Sequence, residues 1–435
     1  MSAPARLKPV LTGVGLVSPI GVGVDAFVES LKSGRSGVGP LERFAGSAAP
    51  QDTGGEVRDF DDAVTKSVMP KKQRKFVKVM CREIELGVAS ALTAVTHAGV
   101  DLDALEKTRF GVEFGANLMF SPPEVLRDAA WSVTDVAGDA RAFAFDRWGG
   151  EGLKVLEPLW LLKYLPNMPA CHIGIAVDAR GPNNSLTLGE ASGLLALGEA
   201  TRIMQRGKAD VMIAGVTGTR LHPIKSLHAK LWDELAERDG SPATWSRPFD
   251  ADRNGQVLAE GAGSVVLETP DHAAARGATV LAEVLGCGAS CVIDRSGKAD
   301  RGRALLNAAR AALRDAGVSP ADVGHVNAEG LGERDADRAE AATIRELFPG
   351  GVPVTATKSY FGNCGSGTGM LELAASVLML REGLIPPTLN CETVDPECGL
   401  DVVTGGPRAT DADLFLTLNV TRAGQAGAAV VRAVR

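Results

Sequence analysis

Apolar strands alternating with helix-forming stretches predict an α/β protein whose sheets are covered on both faces. Three observations carry that reading. Short, wholly apolar runs such as Ala209–Gly215 (ADVMIAG) suit strands buried on both sides. Stretches of helical period, of which Ala191–Gln205 is the clearest, separate such runs. The strand–helix order after Pro270 roughly echoes the order before it, which divides the chain into similar βαβαβ-type halves, 1–268 and 269–435.

Bulk properties narrow the function classes. The 435 residues are 45% hydrophobic and 23% charged, and the net charge of −7 argues against a general nucleic-acid binder. No stretch approaches the ~18 uninterrupted apolar residues of a membrane span, and Met1–Pro9 lacks an apolar signal core. Cys81, Cys171, Cys287, Cys291, Cys364, Cys391 and Cys398 are irregularly spaced with no CxxC pair. Reduced thiols in a cytoplasmic protein are therefore expected.

Taken in order, Pro9–Val17 reads as a buried strand and Val24–Ser33 as a helix, with surface loop over 34–68. Pro70 opens a basic cluster, Lys71, Lys72, Arg74, Lys75 and Lys78, at the start of a long helix reaching about His97. Phe110–Gly115 is the next strand, followed by the apolar group Leu118, Met119 and Phe120. Residues 121–150 look irregular and Leu153–Leu165 amphipathic and helical. Ser246–Glu268 turns and then enters a strand. Its DADRNG stretch (250–255) starts like a calcium loop, but the twelfth position is Gly261 where a bidentate Glu is needed. A tight turn with Asp and Asn bonding their own backbone is the better account. No metal or cofactor is expected. In the second half, strands are expected at 279–287, 323–327, 414–419 and 427–433, and helices at 302–316, 335–347 and 366–382.

One stretch carries the chemistry. GPNNSLTLGEASG (181–193) reads as a strand entering a sharp turn at Gly189 and then a helix. That geometry lifts the tip residue to a helix N-terminus, where enzymes present a nucleophile. Here the tip is a carboxylate, Glu190.

The order of GVGLVSPIG (13–21), ARGPNNSLTLGEASG (179–193), RPFDADRNGQVLAEGAG (247–263), NAEG (327–330), TKSYFGN (357–363) and the glycine-bearing end at 419–427 resembles the β-ketoacyl synthases. The resemblance implies a thiolase fold, a layered α-β-α-β-α core of two similar halves. It also implies a site in which a tip Cys holds the acyl chain and two His residues act on the malonyl thioester. Mapped onto this chain, the Cys position is Glu190, the first His is Glu329 and the second His is Asn363, while Lys358 is kept. The two Thr that hold the pantetheine arm are Leu331 and Glu333, and the Phe-rich closing loop is NVTRAGQ (419–425), which keeps Asn419 and Gly424.

A Glu forms no stable thioester store, and Asn363 cannot take a proton as imidazole does. None of the six histidines occupies a motif position; His325 shares a strand face with Asn327, and His172 reads as a structural hydrogen-bonder. Cys364 sits on the wrong element and reads as a small buried thiol in a Gly-rich turn. Glu190, Glu329 and Lys358 admit two readings: carboxylates sharing a proton beside a lysine, or a buried ion-pair network filling a vacated site.

The pattern is similar to a chain-length-factor-type subunit, which pairs with an active ketosynthase and whose tip residue is commonly Gln. That resemblance implies a role for Leu118, Met119 and Phe120 in lining an acyl tunnel, and for Lys71, Lys72, Arg74 and Lys75 in docking acyl carrier protein. Core packing and a solvated helix face are the plain alternatives. Two further functions stay open: altered acyl-thioester chemistry (decarboxylation or hydrolysis) through Glu190 or Glu329, and a homodimeric acyl-binding scaffold.

Overall fold

The structure, a computed structural model, describes residues 6–435. Its centre is a twisted mixed sheet. The ten main strands are β1 (Val10–Ser18), β2 (Phe110–Ala116), β3 (Asn183–Leu186), β4 (Val211–Thr219), β5 (Glu260–Glu268), β6 (Ala282–Cys291), β7 (His325–Asn327), β8 (Pro353–Thr355), β9 (Leu414–Val420) and β10 (Gln425–Ala433). They lie in the order β3-β2-β4-β5-β1-β6-β10-β9-β7-β8. Only two residue pairs, Val10 with Glu283 and Leu11 with Ala282, join β1 to β6 at the middle. Outward from that junction each side repeats one pattern: two antiparallel pairings, then two parallel ones.

Among the helices that cover it are α1 (Arg82–Ala98), α2 (Ser192–Gln205), α3 (Arg301–Ala316) and α4 (Thr368–Arg381). Every residue of α4 from Thr368 to Leu380 is buried, as a helix apolar on all sides must be. The repeat extends to backbone detail. In β1 the register slips between Leu11 and Gly13, and in β6 between Val284 and Gly286. A Gly-x-Gly follows each bulge and takes a helix directly on its backbone. A Cβ on Gly15 would lie 1.9 Å from the Ser90 carbonyl of α1, and one on Gly288 would lie 2.0 Å from the Ala308 carbonyl of α3. Only glycine permits that approach.

Several local expectations need correction. The segment 34–68 is not plain loop: Val38–Pro40 pairs with Thr53–Gly55, and Asp61 caps a helix at Asp62–Val68. The long helix from Pro70 is divided into a 3-10 turn, Arg74–Val79, and α1, because Met80 and Cys81 adopt extended backbone. Residues 121–150 hold a helix, Pro123–Ser132, and a hairpin, Thr134–Ala137 with Ala140–Phe143. The expected helix at 153–165 reduces to Leu153–Val155 and a 3-10 turn at Trp160–Tyr164. Pro158 lacks the N–H a helix needs, and Leu159 adopts a left-handed φ of 65°. Helices Met168–Val177 and Pro223–Trp232 had no counterpart in the sequence reading.

Large exposed apolar side chains concentrate between Leu118 and Ile175, among them Trp131, Phe145, Leu159 and Leu161. The neighbouring sheet edge, β3, pairs only with β2 among the described residues. All seven cysteines are free, and among the described residues no helix is long and apolar enough to cross a membrane.

Candidate active site and its family

The parallel strands β2, β3 and β4 end at one rim of the sheet, and the site forms there. After β3 the chain turns at Gly189, whose φ of 52° is left-handed, and Gly189–Ala191 forms a 3-10 turn leading into α2. Ser192 steadies the turn by accepting a 2.9 Å bond from the Leu188 N–H. Glu190 therefore stands at the tip, with 15% of its side chain exposed.

Two polar side chains fix its carboxylate. Arg220, the residue after β4, approaches Glu190 Oε1 at 3.2 Å, and Asn363 Nδ2 donates to the same oxygen at 3.1 Å. Both donors also reach Gln256 Oε1, at 2.8 Å from Arg220 and 2.7 Å from Asn363. Asn363 is oriented unambiguously, since its Oδ1 accepts from the Gly365 N–H at 2.8 Å. Arg220 also pairs with Asp233, which Arg422 approaches at 3.2 Å. Charges thus alternate from Arg422 on the closing loop to the tip.

Glu329 belongs to a different network. Lys358, fully buried, lies 2.9 Å from Glu329 Oε1 and 2.6 Å from Glu372 Oε1. Asn419 Nδ2 donates to Glu329 Oε2 at 2.9 Å and to Glu372 Oε2 at 2.6 Å. Burial lowers the affinity of Lys358 for its proton, but the two carboxylates outweigh it and hold the ammonium above its ordinary range. Burial also pushes Glu372 up to about 7 and Glu340 up to about 8. Glu340 accepts from the backbone N–H groups of Glu329 and Gly330 at 2.7 and 2.9 Å. The expected trio is therefore divided: Lys358 pairs with Glu329 and Glu372, while Glu190 takes Arg220 as its counterion.

A cavity of about 540 Å³ opens beside Glu190. Leu331 lines it, while Glu333 is held away by Gln256 at 2.8 Å and Arg301 at 3.1 Å. Of the apolar trio, Leu118 and Phe120 line the cavity, but Met119 turns into the core beside Cys81. Cys364 is fully buried in its Gly-rich turn and burial raises its thiol strongly. His325 bonds Ser376 at 3.0 Å, as Asn327 does, and burial lowers it to about 3. Among the described residues His172 Nε2 is buried without a hydrogen-bond partner; its ring sits 6.4 Å from Phe76. Asp250 does bond its own backbone, accepting from Asp252 N–H, whereas Asn254 reaches across to the Glu237 carbonyl. Among the described residues no cluster suits a metal ion. Lys71, Lys72, Arg74, Lys75 and Lys78 are exposed, and none of them pairs with a carboxylate among those residues.

Arg220 and Gln256 escaped the sequence reading. The available signal was position: Arg220 follows a wholly buried strand at the rim where parallel strands end, the usual place for sites in α/β sheets.

Residues 9–273 match the family described as beta-ketoacyl synthase, N-terminal domain, and residues 281–392 its C-terminal domain. The 3-oxoacyl-[acyl-carrier-protein] synthase 2 of Synechocystis is 32% identical over 95% of this chain and 94% of its own length. The granaticin polyketide putative beta-ketoacyl synthase 1 of Streptomyces violaceoruber is 34% identical over 94% of each. A solved structure, the ishigamide ketosynthase/chain length factor, is 27% identical with a TM-score of 0.83, covering 99% of this chain and 100% of that one. With its sheet order, its elbow and the match over both domains, this chain belongs to the beta-ketoacyl synthase family.

Proposed function

We propose that the chain is a ketosynthase-like subunit without condensing activity of its own. In this reading it pairs with a Cys-bearing ketosynthase of a type II fatty-acid or polyketide system and shapes the cavity for the growing acyl chain, as a chain-length factor does. One observation carries the reading: the tip position holds a carboxylate locked by Arg220 and Asn363, where a condensing site would need a thiol. A carboxylate cannot store an acyl group as a thioester.

Two surface features support a partner. The open edge of β3 offers unpaired backbone groups, and the exposed apolar side chains between Leu118 and Ile175 lie in the segment leading to it. The unpaired basic cluster at Lys71, Lys72, Arg74 and Lys75 suits an acidic acyl carrier protein by charge.

The test is a mass-spectrometric assay with malonyl- and acyl-loaded carrier protein, run on the pure chain and on its mixture with a Cys-bearing ketosynthase from the same genome. Turnover that needs the mixture and survives Glu190→Gln supports the subunit. Turnover by the chain alone, abolished by Glu190→Gln, would make Glu190 a catalyst of altered acyl-thioester chemistry. A homodimer that retains an acyl ligand without turnover would make it a binding scaffold.

A further inference from the structure

Strand β3 is the last strand of the sheet on its side, and among the described residues its outer edge pairs with nothing. Its side chains alternate between faces. Asn183 and Ser185 donate to the carbonyls of Ala170 and Pro166 on one face. Asn184 turns to the other, where it is exposed and donates from Nδ2 to Glu113 Oε1 at 3.1 Å. Glu113 lies opposite Asn184 in the register of β2 and β3, on the face that α2 covers. A Cβ on Gly115, two residues on, would meet Ser192 of α2 at 2.7 Å. The Glu113 side chain is fully buried, and among the described residues its second oxygen, Oε2, has no hydrogen-bond partner.

Among the described residues no cation pairs with Glu113. Its charged neighbour on α2 is another carboxylate, Glu199; burial first, and then that charge, push Glu113 up to about 7. Glu199 pairs with Arg206 at the surface, and Arg202 sits against Gly198 on the side of Cys287 in β6. A buried carboxylate without a counterion is costly, and an apolar side chain would suit a sheet interior better. Covering the edge would take Asn184 out of water and leave Glu113 deeper still. An occupant that brings a cation reverses that loss. Two copies of this chain meeting at the edge would instead each bring the same two carboxylates, because a two-fold interface sets one patch against itself. We propose that the open edge of β3 takes the Cys-bearing ketosynthase, and that Glu113, with Glu199, selects it through a lysine or arginine of that partner. This inference rests on the subunit reading above and adds the residue that sets partner choice.

The test measures association by sedimentation velocity, for the full chain alone and mixed with a Cys-bearing ketosynthase from the same genome. The native chain should bind the ketosynthase roughly tenfold or more tighter than it binds itself, and amide exchange at 183–186 should slow in the complex. Glu113→Gln keeps an acceptor for Asn184 and removes the charge. It should weaken the complex roughly tenfold while the thermal midpoint of the free chain holds or rises. Glu199→Gln, at a partly exposed side chain, should weaken the complex roughly threefold and carries the test if Glu113→Gln does not fold. The double variant Glu113→Gln/Glu199→Gln should bring self-association and pairing close together. Unchanged affinity in these variants, unslowed exchange at 183–186, or self-association tighter than pairing overturns the proposal. Absence of a complex with the ketosynthase overturns it as well. The subunit reading stands or falls separately, on turnover in the mixture. Turnover with an affinity unmoved by Glu113→Gln would keep the subunit and remove the charge selection; a charge-dependent complex without turnover would do the reverse.

Discussion

Arg220 holds Glu190 at 3.2 Å on one side and Asp233 on the other, so one guanidinium bridges the elbow tip and the helix-end carboxylate beyond it. The tip is an anchored charge, and its surroundings are matched to a negative side chain. Substitutions there should read differently depending on which partner they strand.

Glu190→Gln keeps an acceptor for Asn363 and loses only a partly exposed ion pair, so its cost in urea denaturation should be about 1 kcal/mol or less. Arg220→Ala leaves Glu190 without its guanidinium and Asp233 with Arg422 alone, and should cost about 3 kcal/mol. Equal costs for the two variants would contradict the bridging role.

Glu190→Cys should restore a thiol without restoring condensation. Asn363 and the Lys358-bound Glu329 cannot supply the two imidazoles the reaction uses. Intact-mass spectrometry should find acyl transfer to the new thiol at most, and no elongated product.

Stability should fall as pH rises from about 4.5 towards 8. Burial holds Glu372 near 7 and Glu340 near 8, above their ordinary 4.5, so the folded chain keeps protons that the unfolded chain releases. Their contribution is complete in acid below the unfolded value and is lost as pH climbs through the folded values. Between the ordinary 4.5 and the folded value, about 7 for Glu372 and about 8 for Glu340, each group adds a slope of up to about 1.4 kcal/mol per pH unit. Glu340→Gln should flatten the curve in chemical denaturation across that window, and an unaltered slope would exclude Glu340 as a source.

Gly15→Ala and Gly288→Ala should be alike in effect. Each new methyl would meet a helix carbonyl at about 2 Å, and overpacking of this kind costs about 3 kcal/mol or more. Gly149→Ala, with nothing within 4 Å, is the control and should leave the thermal midpoint close to native.

The strands and the central helices were legible in the sequence because burial dictates their residues. Val24–Ser33 was read to the residue, and α2, α3 and α4 nearly so. The segment 121–165 was not, because its apolar residues face outward. A helical period is a guide only where the apolar face turns inward, and Phe145, Leu159 and Leu161 do not. At the site, positions inherited from family motifs were legible, but their partners were not. Glu190 and Lys358 lie far apart in sequence from Arg220 and Glu372, and no local spacing signals those pairings. Met119 takes the core-packing alternative because, between Leu118 and Phe120, it points the opposite way.

Helices α2 and α4 meet at their N-terminal ends. Ser192 Oγ lies 3.2 Å from Ser366 Oγ, and a Cβ on Gly193 would stand 3.2 Å from the Gly369 Cα. Glu190 comes from one half of the chain, and Asn363 and the closing loop come from the other. The cavity is thus a seam, and neither half encloses it alone. A chain in which one half has folded ahead of the other presents no binding site, so ligand capture reports on completed folding. Separately expressed halves should regain the cavity only on reassociating.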